Sequence, residues 1–314
     1  MRSRRLSHHC ASYSRQQEFA EHRRLQSSRC SVQRVEKGLA DKPLLFTFHK
    51  VRRECEQANA DAWRAFLEFY SPLFLCLLEI YLPGKTEVSH RLLGKLLGEL
   101  AENNFQRLRS TSRQSEREFL ADLRVLLLDL AAKAAVEITD TTEGGRLLEV
   151  ENVKKLLEGL PLMHQEMLFF KLAGYTDLTL ERMLRVAPRV AEKAFERLGA
   201  DYSAAQRLER DRCPWPVEWL AVLREAHRAK QENCPEQHQF LRIHDGQVSW
   251  YDKEPVEKHV AGCLHCLERW TALREVGYWR RIAPPTSTAT IEEFLRVLAV
   301  SPEPQKSLFR RVFG

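Results

Sequence analysis

His259, Cys263 and Cys266 spell an H-x3-C-x2-C motif, and Cys234 stands 25 positions upstream of it. This is metal-ligand spacing. On a helix, residues i and i+4 share a face, so a helical His259 and Cys263 point the same way. Cys266 follows within one turn. Thiolate and imidazole donors in this arrangement suit a closed tetrahedral Zn²⁺ site. Such a site staples two helices that have little core of their own. Cys234 is the favoured fourth ligand because a thiol makes a softer, closed site; His238, His244 and His265 are the alternatives. A bare redox pair at Cys263–Cys266 is the competing reading. The expected metal is structural, because no carboxylate sits near the cluster at a general-base spacing.

The rest of the chain is read around that cluster. Its 314 residues have room for two or three small domains. Leu, Ala, Glu and Arg dominate and β-branched runs are short, which points to an all-α fold. No apolar run is long enough to cross a bilayer. The N-terminus lacks the apolar segment of a secretory signal. Eight scattered cysteines do not make a disulfide framework, and reduced thiols imply a cytoplasmic protein.

Five stretches follow from the punctuation. Residues 1–40 are an Arg- and Ser-rich basic tail, expected to be disordered. Residues 41–140 read as a helical bundle, with Trp63, Phe66, Leu67 and Tyr70 at helical spacing. Pro72 and Pro83–Gly84 are expected helix boundaries. Residues 147–200 hold short helices broken at Leu160–Pro161, Gly174 and Pro188, the pattern of a helix-turn-helix unit. Residues 213–281 form the metal-bearing hairpin. There Asp245–Gly246 marks a turn, and one helix from about Lys253 carries the motif towards Arg281. Residues 282–314 are a linker, a short helix and a tail.

The net charge of +6 is confined to the tail, where nine Lys/Arg face three Asp/Glu. The remainder is neutral, which weighs against a strongly DNA-binding body. There is no Gly-rich phosphate loop, no G-x-S-x-G and no evident carboxylate pair, so no enzyme is expected. The Trp270–Gly277 stretch reads as helix packing.

The segment Cys234–Cys266, with "RIHDGQVSW" and "VEKHVAGCLHC", resembles the zinc-binding anti-sigma domain of bacteria. The resemblance implies ligands Cys234, His259, Cys263 and Cys266, and helices that occlude a sigma factor. Upstream, residues 150–198 are similar to region 4 of extracytoplasmic-function sigma factors. The likeness rests on Leu160–Pro161, Gln165–Glu166, Gly174–Tyr175–Thr176 and the apolar Leu180, Met183, Leu184 and Val186. In that family the last helix of the unit reads a promoter element. "ADAWRAFLEFYSPLFLCLL" resembles the opening helix of region 2, where Trp63, Phe66, Phe69 and Tyr70 would be packing positions.

The chain departs from that pattern where DNA would be touched. Glu181 stands where a small residue is usual, Arg185 where glycine is usual, and Ala187 and Val190 where the Ser and Thr hydroxyls are usual. Losing hydroxyls removes phosphate contacts. Acidic and basic residues balance across 149–197, leaving little pull on DNA. Arg185, Arg189, Lys193 and Arg197 remain as a weak basic stripe. The acidic polymerase-clamp pattern is missing from 87–100. The resemblance therefore implies a bacterial transcription regulator, a degenerate sigma-like module fused to an anti-sigma-like module and inhibited in cis. Its implied partners are RNA polymerase or a sigma factor, with weak promoter DNA contact. The alternative is a non-DNA-binding adaptor, or a soluble anti-sigma factor that uses the sigma-like helices as scaffold.

Overall fold

The computed structural model describes residues 47–111, 114–139, 150–194, 196 and 216–298. Among these residues every regular element is helical and there is no strand. The helices are α1 (Phe48–Cys55), α2 (Ala60–Tyr81), α3 (Thr86–Ser110), α4 (Glu116–Thr139), α5 (Val150–Leu157), α6 (Leu162–Leu172), α7 (Asp177–Leu184), α8 (Pro216–Arg228), α9 (Gln237–His244), α10 (Trp250–Gly262), α11 (Leu264–Ile282) and α12 (Thr288–Val297). A further helical stretch covers 188–194. The basic tail 1–40, residues 140–149, Arg197 and the segment after 298 lie outside the described residues.

Local chemistry explains half of the twelve starts. Thr47, Asn59, Thr176, Ser249 and Ser287 each accept a backbone N–H with their own side chain, capping α1, α2, α7, α10 and α12. Glu236 and Gln239 form a reciprocal capping box on α9. Gly84 and Gly246 hold positive φ at the expected Pro-Gly and Asp-Gly turns.

Two expected boundaries move. Pro72 lies inside α2. A mid-helix proline costs about 3 kcal/mol. On either side of it Leu67, Tyr70, Leu73, Phe74, Leu77 and Leu78 are all buried. Each buries apolar area worth about 1.5–3 kcal/mol, so packing outweighs the missing hydrogen bond. The expected continuous helix through the metal motif is instead two helices. Cys263 has extended backbone (φ −130°, ψ 111°), ending α10 and starting α11.

The described residues from Thr47 onward belong to one compact unit. Its axis is α11, which packs on α2, α4, α7, α8, α9 and α10. Trp270 and Leu273 are fully enclosed there, as expected for packing positions. The leucines of α3 (Leu92, Leu93, Leu96, Leu97, Leu100) are buried as a single stripe. Of the expected packing aromatics, Trp63, Phe66 and Tyr70 are buried. Phe69 is 41% exposed, with the Arg280 guanidinium 5.2 Å from its ring centre.

Candidate metal centre

Cys234 comes from the loop between α8 and α9, His259 from the last turn of α10, Cys263 from the α10–α11 junction, and Cys266 from the first turn of α11. One ligand atom from each lies within 4.8 Å of the others, close enough to hold a metal ion. The two sulfurs of Cys234 and Cys263 are 3.9 Å apart. Tetrahedral bonds of about 2.3 Å place neighbouring sulfurs about 3.8 Å apart. All three cysteines are buried. Nε2 of His259 is shielded from solvent and has no hydrogen-bond partner. A buried nitrogen without a partner is costly, and a cation among the sulfurs would satisfy it. The backbone N–H of Gln231 donates to the Cys234 sulfur at 3.2 Å, tying that loop to the cluster.

The break at Cys263 matters to the chemistry. It turns the chain so that Cys263 and Cys266 both sit at the start of α11, where a helix favours negative charge. A hydrogen bond from Cys266 pulls the Cys263 thiol down to about 4. The same bond to Cys263, together with burial, pushes Cys266 far up. A metal ion binds thiolates, so a divalent cation here would displace the thiol protons.

The other histidines near the motif are used elsewhere. His238 is exposed. His244 packs edge-on against Trp270, ring centres 4.2 Å apart. Its two ring nitrogens are buried without partners. Burial, helped by Arg274 and Arg117, holds it well below the ordinary imidazole value. Nδ1 of His265 lies 2.9 Å from the His227 carbonyl and 3.2 Å from that of Ala226, which fastens the end of α8 to α11.

A second polar cluster on α11 escaped the sequence reading. Arg124 of α4 is fully buried and bonds three partners. Nε meets Glu275, Nη1 reaches Glu268 Oε1 at 2.5 Å, and Nη2 reaches the Tyr81 hydroxyl at 3.2 Å. Tyr81 donates to Glu275 at 3.0 Å, and Tyr175 donates to the same carboxylate. Burial and the Glu275 charge raise both phenols well above their ordinary value. Trp279 completes the set with a 3.0 Å bond to the Tyr175 oxygen. Nearby, Trp270 donates to Glu166 and Arg274 lies 2.7 Å from it. Burial nevertheless pushes the Glu166 carboxyl up. Gln165 donates to the Ala261 carbonyl at 2.9 Å. The sequence signal for this network was an arginine inside the leucine-rich "LADLRVLLLDL" and two glutamates seven apart on α11.

Of the basic stripe, Arg185, Arg189 and Lys193 are exposed, interleaved with exposed Glu192 and Glu196. Arg185 adopts left-handed backbone (φ 56°), the turn conformation that glycine takes at no cost. Glu181 is half-exposed, which spares its charge from burial. Among the described residues no helix is long and apolar enough to cross a membrane. Comparison with family models, with curated proteins and with solved structures gives no match.

Proposed function

We propose that the chain is a zinc-binding transcription regulator in which an anti-sigma-like hairpin holds sigma-like helices closed, and that it acts through protein contact. The observation that carries this reading is the position of α11. The helix that supplies Cys266 also packs along α2 and α4 and touches α7. A resident inhibitor would occlude the same helices. Its tether gives a high effective concentration, so the closed form dominates. Zn²⁺ fits the donor set, because three thiols and one imidazole make a closed structural site. When bound it supplies a crosslink between the Cys234 loop and the start of α11. Bacterial origin, a cytoplasmic location and contact with RNA polymerase or a sigma factor belong to this same reading.

The mixed charge on 188–196 favours protein over DNA as the partner. The burial of Arg124 favours a form that stays closed, since separating α11 from α4 would strand that charge. The test uses the full chain. Native mass spectrometry should find one zinc per chain, and the loaded protein should leave promoter DNA unshifted. A shift by the zinc-loaded chain would overturn the closed reading. A shift that appears only after mild oxidation and zinc loss would establish release by signal in cis.

A further inference from the structure

One buried side chain ties the metal motif to the helices of 150–184. Gln165 lies in the first turn of α6 and is 2% exposed. Its side-chain amide donates to the Ala261 carbonyl at 2.9 Å, to the Leu160 carbonyl at 3.0 Å and to the Leu157 carbonyl at 3.1 Å. Leu157 is the last residue of α5. Ala261 stands one residue before the end of α10, between His259 and Cys263. The last carbonyls of a helix have no partner within it. A single amide therefore caps the ends of two helices, and it does so where α6 packs on α10. Beside it, Glu166 takes the Trp270 indole N–H and the Arg274 guanidinium of α11.

An amide nitrogen carries two hydrogens. Three carbonyls in reach are one more than it can serve in full. If Ala261 moves away, the two hydrogens still meet Leu157 and Leu160, and no donor is stranded. Ala261 is half-buried and Gly262 is exposed, so water reaches the freed carbonyl. This contact opens at little cost, unlike the Arg124 network, where every partner is buried. His259 and Cys263 flank Ala261 by two residues on either side. A cation gripping both would fix the backbone between them.

We infer that Gln165 is a latch through which metal occupancy governs the packing of the α5–α6 turn on the metal hairpin. With the cluster loaded, the Ala261 carbonyl is presented to the amide. With the cluster empty, the amide serves α5 alone and α6 loosens from α10. The inference rests on the metal reading of the cluster and does not depend on a transcriptional role. The coupling is reciprocal: whatever the metal adds to this contact, the contact adds to metal affinity.

The test uses the full-length chain. Zinc affinity is read by competition with a chromophoric chelator, and the contact is read by hydrogen exchange. Zinc removal should speed exchange in wild-type α5 and α6 by about three- to tenfold, the worth of one hydrogen bond. Gln165→Met keeps the volume and removes the donors. It should weaken zinc by about the same factor, and exchange in α5 and α6 should no longer respond to zinc. Gln165→Glu sets a carboxylate among three carbonyl oxygens and should weaken zinc further. Exchange in α4 is the folding control and should match the wild type; should the glutamate variant lose it, the methionine variant decides alone. A merely structural Gln165 would loosen α5 and α6 equally with and without zinc and leave zinc affinity unchanged, which overturns the latch. Wild-type α5 and α6 that ignore zinc overturn it as well. A chain that takes up no zinc would overturn the metal centre itself, and the latch with it.

Discussion

Two clusters hold the central helix α11, and they do so by opposite means. The Cys/His cluster grips its first turn with residues close in sequence, three of them within eight positions. The Arg124–Glu268–Glu275 cluster grips its middle with residues more than a hundred positions apart. The first is a local staple, whose loss frees a hairpin. The second is a buried ion network, where removing one partner strands the others without water. The Cys/His cluster sits where the chain already turns. The ion network ties the middle of α11 to α4 through Arg124 and to α2 through Tyr81. The second therefore controls the whole fold and the first controls one end of it.

That contrast can be broken experimentally. Arg124→Ala should have the largest effect, about 3–5 kcal/mol in urea unfolding, because two carboxylates lose their buried counter-charge. A loss under 1 kcal/mol would show that the network is dispensable. Cys263→Ser should remove the metal and cost less, about 2.7 kcal/mol at metal concentrations 100-fold above Kd. Hydrogen exchange should then speed up in α9 and α10 while α4 stays protected. Equal loss of protection in α4 would merge the two regions into one cooperative unit.

The pH dependence sharpens the same comparison. His244 is held well below its ordinary value of 6.5 by burial, with Arg274 and Arg117 adding to it. Below pH 6.5 the unfolded chain takes up a proton that the folded chain refuses. Stability therefore falls as pH drops through this window, by up to about 1.4 kcal/mol per pH unit. His244→Phe should flatten most of that slope, with His227, lowered mainly by burial, leaving a smaller residue of the same sign. An unchanged slope would place the acid sensitivity elsewhere. The smallest effect belongs to Arg185→Gly, which relieves left-handed backbone at a surface turn. It should raise stability by up to about 1 kcal/mol. A decrease would mean that the Arg185 side chain stabilises the turn more than its backbone strains it.

Much of the molecule was legible before folding was considered. Caps and turns at Asn59, Gly84, Thr176, Gly246 and Ser249 lie in the chain itself, because their chemistry is satisfied within three or four residues. The leucine stripe of α3 shows its buried face through period alone. His259, Cys263 and Cys266 were legible as candidate ligands for the same reason, since their spacing is short. The helix break at Cys263 was hidden, because i, i+4 spacing fits a continuous helix and a bend equally well. Pro72 misled, because its local cost is visible and the tertiary packing around it is not.

Sequence by itself settled the all-helical class and the meeting of His259, Cys263 and Cys266, because both follow from periodicity and spacing over a few residues; that Cys234, 25 positions upstream, joins them rather than His238, His244 or His265 was decided by the tertiary structure. Only the tertiary structure decided that α11 is the axis of the molecule, and that Arg124, Tyr81, Tyr175 and Glu275 meet on it. Those contacts join residues 43 to 194 positions apart. Their energy comes from excluding water around a shared charge, and no stretch of chain carries that property alone.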